Sequence, residues 1–232
     1  MSKKQSVLTP RILFMLLVFV ILLPLLPLII SGRWNWWEAW VFAAISILGF
    51  VISRFLAGQR NPELLAERGQ YLEHPNPESW DQLLSPLLAF GSGTIPLAAG
   101  LDARFGSSAD FNLVVKMLAI LILLLGYGLG TYALMENRFF SGMVRLQTER
   151  GHQVINTGPY RWVRHPGYAG TFISSLATPF LLDSWWAFVP VLLIFIVIII
   201  RTRLEDRFLQ ESLEGYRDYT HLVRYRLFPG IW

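Results

Sequence analysis

Apolar positions in this chain neither alternate nor recur at every third or fourth residue; they run on. Residues 12–30, 37–56, 111–135 and 185–200 form runs that reach or approach the about 20 residues a bilayer core requires, the last only with its flanks. Two shorter runs, 83–99 and 168–182, are broken by Gly, Pro, Ser or Thr and read as tilted, broken or re-entrant segments. The pattern predicts an all-α polytopic integral membrane protein with six crossings. The first run resembles a signal peptide in position, but it is long, contains Pro24 and Pro27 and lacks a small-x-small cleavage site. It is expected to be a retained span.

Composition agrees. Charged residues make up 16% of the chain, against about 25% in ordinary soluble domains, and mean hydropathy is +0.44. The net charge of +4 raises the question of nucleic acid, and the placement of the cations answers it. Assigning loops alternately, seventeen Lys and Arg fall on one side, including Lys3, Lys4, Arg11, Arg54, Arg145, Arg164 and Arg201. Arg33 and Arg104 fall on the other, and Lys116 lies inside a span near its outer end, where it can snorkel. This positive-inside bias places both termini in the cytoplasm and argues for membrane lipid rather than nucleic acid as the partner. No cysteine is present, which removes thiolate catalysis and Cys-ligated metals.

Between the runs, Asn61-Pro62-Glu63 has the order of a helix start, predicting a short interfacial helix over 61–69. His74-Pro75-Asn76-Pro77 then breaks the chain as a surface connector. Residues 101–110 read as a short external loop. Gly126 and Gly130 have the small-xxx-small spacing that lets helices approach closely. Thr171, Ser174, Ser175 and Thr178 put hydroxyls on one helical face, which either packs on another helix or lines a polar cavity. The connection 136–164 is about 29 residues, too long for an idle linker.

Two polar stretches carry the candidate chemistry. One is GPYRWVRHPGYAG, 158–170, with His165-Pro166 between two apolar regions. The other is RTRLEDRFLQESLEGY, 201–216, directly after the most apolar run. Arg201 and Glu205 are four apart, so on a helix they share a face about 5.4 Å from one another. Such a pair is either an ion pair closing a span or, where it faces the bundle interior, a binding position. His165 is likewise either part of a basic membrane-flanking turn or a site residue. His74, His152, His165 and His221 lack zinc-ligand spacing, so no metal is expected. Walker, GxGxxG and GxSxG motifs are missing too.

Taken together, GPYRWVRHPGYAG, the upstream Gln147 and His152-Gln153-Val154-Ile155, Arg201 and Glu205 after an apolar run, and the closing Gly215-Tyr216-x-x-Tyr219 resemble the isoprenylcysteine carboxyl methyltransferase family and its prokaryotic relatives. Asn61-Pro62-Glu63-Leu64-Leu65 and Phe139-Phe140 are similar to the prokaryotic members. The resemblance implies a membrane methyltransferase core over 111–232, preceded by N-terminal transmembrane helices and a connector over 1–110. It implies S-adenosyl-L-methionine as cofactor, held on the cytoplasmic side by Gln147, His152, Gln153, Val154, Ile155, Tyr160, His165, Pro166, Gly167, Tyr168 and Glu205. Arg201 would orient the acceptor carboxylate. Gly167 stands where the eukaryotic enzymes often carry Ser, and the chain has fewer spans than the longer eukaryotic members.

These roles are chemically consistent. A carboxylate such as Glu205 and the faces of Tyr160, Trp162 and Tyr168 favour a sulfonium and an ammonium. A carboxylate acceptor is already ionised near neutral pH and needs no base, only orientation, which a bidentate Arg201 can supply. The acceptor is expected to be lipophilic or lipid-linked. An amine acceptor on a phospholipid fits less well, since Arg201 would repel its ammonium form. An NADPH-dependent membrane reductase of the sterol type is the other enzyme reading, because 223–230 is similar to the closing segment of those enzymes. A lipid-binding scaffold without catalysis leaves the long connection unexplained.

Overall fold

The computed structural model describes residues 14–69, 77–106 and 109–232; Lys3, Lys4, Arg11, Ile12 and the His74-Pro75-Asn76 break lie outside them. All regular elements among the described residues are helical. Helix α1 is Phe14–Ser31, with a π-helical stretch at Leu17–Leu22 just ahead of Pro24. It ends at Gly32, whose φ of 69° closes the helix in the left-handed conformation that glycine adopts without penalty. Next come α2 (Trp37–Arg60), the short α3 (Pro62–Gly69), α4 (Asp81–Phe105) and α5 (Leu113–Glu136). Helix α6 is Pro166–Leu181, α7 is Phe188–Ser212 and α8 is Tyr216–Leu222.

Four of these, α1, α2, α4 and α5, are long and apolar enough to cross a membrane. Helix α6 has 16 residues, slightly short for a straight crossing, and the 25 residues of α7 are polar in their last part. The interrupted run 83–99 is one continuous 25-residue helix despite Pro86 and Pro96, and it absorbs the first half of the expected loop at 101–110. Leucines on the outside of α5, such as Leu118 and Leu125, are exposed, as they are where a helix faces lipid. Trp34, Trp37, Trp40, Trp185 and Trp186 are exposed at the ends of their spans, where interfacial aromatics concentrate.

The bundle core joins α1, α2, α4, α5, α6 and α7 through residues such as Leu28, Phe42, Leu123, Leu181 and Val191. Helices α5 and α6 touch backbone to backbone. A Cβ on Gly126 would lie 2.8 Å from the Gly170 carbonyl oxygen, and one on Gly170 would lie 2.6 Å from that of Gly126. Gly128, between the paired glycines, faces open space. Gly126 therefore makes the close approach that the spacing predicts, whereas a Cβ on Gly130 would meet nothing within 4 Å and its backbone comes close instead, the nitrogen 2.8 Å from a Cβ on Gly170.

Lys116 does not snorkel. It is buried, with Nζ 2.6 Å from both Glu38 and Asp183. Two carboxylates from α2 and from the α6–α7 turn offset the cost of burying the ammonium, so it stays inside and ties three elements together.

Candidate functional site

The connection between α5 and α6 is folded, with short 3-10 turns at Thr148–Arg150 and Gly158–Arg161. Gly158 turns it with φ of 55°. Helix α3 holds it from one side, through Glu67 and Arg145 at 2.8 Å. The start of α4 holds it from another: Asp81 accepts the Val144 amide at 2.6 Å. Together with the N-terminal turn of α6, the polar end of α7 and α8, this connection encloses a pocket of about 800 Å³, its mouth included. Most of that space is the open mouth; the enclosed part is about 100 Å³, smaller than the roughly 300–1,000 Å³ usual for a small-molecule site.

Arg201 and Glu205 both line the pocket but do not pair. Arg201 reaches across to α4, where its Nε and Nη2 meet the two oxygens of Asp81 at 2.7 and 3.0 Å. Nη2 also donates to the Gly142 carbonyl at 2.9 Å. The forked edge expected to grip an acceptor carboxylate is thus turned to Asp81, and Nη1 makes no hydrogen bond among the described residues. Glu205 accepts instead from the Tyr168 hydroxyl at 2.5 Å through one oxygen. The Arg201 guanidinium lies 5.3 Å from the centre of that same Tyr168 ring. Asp81, Arg201, Tyr168 and Glu205 form one chain of contacts along the wall.

Below them, fully buried Asp206 gathers donors from three parts of the sequence. Arg164 binds it in a fork at 2.7 and 2.9 Å, His165 Nε2 lies at 3.3 Å, and Tyr216 donates at 3.1 Å. Gln210 and Arg226 each add a bond of 3.0 Å. Burial works to raise the Asp206 carboxyl pKa, but the bonds and charges of His165 and Arg164 outweigh it and hold the group far below the usual carboxylate range. The backbone amides of Arg164 and His165 donate to the carbonyls of Tyr225 and Arg226 at 3.0 and 2.9 Å. The His165-Pro166 turn is therefore built onto the C-terminal segment.

Of the residues singled out in the sequence, the structure brings Arg201, His152, Gln153, Val154, Ile155, Tyr160, His165, Gly167, Tyr168 and Glu205 to this one wall. It does not bring Gln147 or Pro166 there. Gln147 is fully buried behind it, its amide donating to the Phe139 carbonyl at 2.8 Å and its oxygen accepting from Arg150. Pro166 is buried as the first residue of α6, where a missing N–H costs nothing. His152 Nδ1 accepts the Gln147 amide at 3.3 Å and its ring lies 4.6 Å from that of Phe139. Burial, reinforced by Arg145 and Arg150, lowers its pKa to about 4, so the ring is neutral at physiological pH. Tyr160 is buried, which pushes its hydroxyl well up, and its carbonyl accepts from Tyr219 at 2.7 Å.

Sequence reasoning missed Asp81, Asp206, Arg145 and Asn137. Asp81 lies 120 positions from its partner, and no local spacing signals such a pair. Asp206 was visible as a carboxylate beside Glu205 in an apolar-flanked helix, but its burial was not.

The charge balance of the wall is informative. Three guanidiniums line it, and each is paired: Arg145 with Glu67 and Glu149, Arg164 with Asp206, and Arg201 with Asp81. Glu205 is the lining carboxylate, and its second oxygen makes no protein hydrogen bond among the described residues. Around it stand the rings of Phe139, Tyr160, Tyr168, Tyr216 and Tyr219. A carboxylate with one free oxygen, set among aromatic faces, fits a compact organic cation such as a sulfonium with an ammonium. No cluster that would hold a metal ion is found among the described residues.

Among the described residues the fold is all-helical, with four helices long and apolar enough to cross a membrane and a pocket lined by both charged and aromatic side chains where α6, α7 and α8 meet the folded connection. Residues 117–211 match the model of the isoprenylcysteine carboxyl methyltransferase family. The chain is also similar to the protein-S-isoprenylcysteine O-methyltransferase of Saccharomyces cerevisiae, 29% identical over 125 residues that cover 49% of this chain and 50% of the relative. The chain spans about half the length of the curated relative it matches. These matches favour neither the reductase nor the phospholipid amine reading.

Proposed function

We propose that the chain is a membrane-embedded, S-adenosylmethionine-dependent methyltransferase that esterifies the carboxylate of a lipid-linked, isoprenylcysteine-like acceptor. In this reading α6 and α7 complete a set of six crossings, the pocket faces the cytoplasm with both termini, and 111–232 is the methyltransferase core. The observation that carries it is the meeting of two distant family-matched segments, at Tyr168 and Glu205, around one carboxylate oxygen left free.

When bound, S-adenosylmethionine supplies a methyl group activated by a positive sulfur. Glu205 and the tyrosine rings hold that cation. His152, Gln153, Val154 and Ile155 line the same pocket, and His165, Pro166 and Gly167 form the turn that opens α6. Arg201, fixed by Asp81, presents Nη1 to the acceptor carboxylate and orients it by one bond rather than by a fork. No base is required, because the acceptor oxygen is ionised before it arrives. The reaction cancels opposite charges, so a wall that excludes water favours it.

The test is calorimetry of the purified chain with S-adenosylhomocysteine and NADPH side by side, followed by transfer of a radiolabelled methyl group into membrane extracts with the product checked for a base-labile ester. Binding of S-adenosylhomocysteine and a labile ester are expected. Tight NADPH binding without heat from S-adenosylhomocysteine would end this reading.

A further inference from the structure

A second, larger cavity lies within the helices, between α1, α2, α4, α5 and α6, and holds about 1330 Å³ with its openings. Its wall is largely apolar, with Phe19, Phe42, Leu123 and Tyr127 among the larger side chains. The hydroxyl stripe of α6 lines it too. Thr171, Ser174 and Thr178 donate to carbonyls of their own helix at 3.1, 3.1 and 2.9 Å, so their polar atoms are satisfied. Arg54 and Arg68 are the charged groups in its wall; the rest, mainly apolar, is suited to hydrocarbon.

Two residues belong to the walls of both cavities, Phe140 and Gly167. The Phe140 ring lies against Gly167 so closely that a Cβ there would be 2.6 and 2.7 Å from two of its ring carbons. On the ring lies the Arg68 guanidinium, 5.5 Å from its centre. The backbone around the ring is held: Phe140 donates to the Asn137 carbonyl at 3.1 Å, and its own carbonyl accepts from Arg68 at 3.1 Å. Only the side chain is left to turn, about two bonds.

We propose that Phe140 is the partition between the two cavities and a specificity-determining residue. The acceptor's carboxylate end passes from the apolar cavity to the methyl donor by displacing this ring, and Gly167 leaves the space the ring needs. Bulk next to the carboxylate therefore decides which acceptors pass. This rests on the methyltransferase reading, and it concerns the path by which the acceptor reaches the site.

The experiment uses the full chain in detergent with N-acetyl-S-farnesylcysteine and its N-benzoyl counterpart, which differ only beside the carboxylate. In Phe140→Ala the kcat/KM preference for the smaller probe should shrink toward one. In Phe140→Trp it should grow by roughly tenfold, both ratios being read at saturating methyl donor because Phe140 also lines the first pocket. A merely structural role would lower both probes alike and leave the ratio alone. Should Phe140→Trp fail to fold, Phe140→Leu should move the ratio in the same direction as alanine but less far. A 4-fluorophenylalanine at position 140 should also show a shifted fluorine resonance when N-acetyl-S-farnesylcysteine is added without methyl donor. An unchanged ratio, or a resonance that saturating probe does not move, overturns the partition while S-adenosylhomocysteine still binds. Absence of that binding in the unaltered protein overturns the methyltransferase reading instead.

Discussion

Tyr168 on α6 donates its hydroxyl to Glu205 on α7 across 37 positions of sequence. That bond occupies one carboxylate oxygen, and the other makes no protein hydrogen bond among the described residues. Glu205→Gln keeps the shape and removes the charge, and a charge-assisted bond contributes about 1.5–3 kcal/mol. S-adenosylhomocysteine affinity should fall by roughly ten- to a hundredfold in calorimetry. Tyr168→Phe should weaken it less, since the carboxylate stays charged.

Arg201 and Asp81 form a buried pair, and breaking one leaves the other charge stranded. Arg201→Ala and Asp81→Ala should each destabilise the protein by about 3–5 kcal/mol. The double variant should lose less than the two losses combined, as read by unfolding in detergent. At saturating acceptor, Arg201→Ala should also lower the rate of methyl transfer. An unchanged rate would remove the orienting role from Arg201.

Asp206→Asn tests the foundation of the His165-Pro166 turn. With the charge gone and one oxygen replaced by a donor NH2, Arg164 and Arg226 lose their ion pairing and at least one of their acceptor contacts. Hydrogen exchange should speed up at the amides of Arg164 and His165, which donate to Tyr225 and Arg226, while the middle of α5 stays protected.

His152 is neutral in the folded protein, with a pKa lowered to about 4 from 6.5. Because the folded pKa is the lower one, the unfolded chain takes up the proton first as pH falls. Stability should be full above pH 6.5 and decline as pH drops toward about 4. His152→Gln should flatten this decline in melting temperature measured against pH.

Gly170→Ala places a methyl against backbone atoms of Gly126 and Gly130 and should cost about 1–3 kcal/mol. Gly128→Ala, which meets open space, should not be destabilising. Thermal unfolding of the two variants separates the close approach from a general effect of glycine.

Much of this was legible in the sequence because local spacing carried it. The small-xxx-small pair at Gly126 and Gly130 marks a close helix contact, and Asn61-Pro62 marks the start of α3. Even so, the Asn61 side chain goes to the Met135 carbonyl at 2.8 Å rather than to the helix end. Arg201 and Glu205 were read as helix neighbours. That spacing was right, yet each found a partner on a different helix, since a buried guanidinium is better matched by the two oxygens of Asp81 than by a half-buried neighbour already bound to Tyr168. Lys116 was misplaced for a related reason: its two carboxylates come from remote segments. The hydroxyl stripe left two readings open, and both hold, because Ser174 packs against Gly126 while the same face lines the second cavity.

The Lys116 cluster has a mechanical consequence. It rivets α2, α5 and the α6–α7 turn at one end, while Asp206 and the Glu67–Arg145 pair rivet the opposite end. Helices fastened at both extremities have little freedom to tilt or slide. Ligand-loaded and empty forms should therefore superpose along every helix axis, and the difference between them should reside in a handful of rotamers around the middle of the bundle.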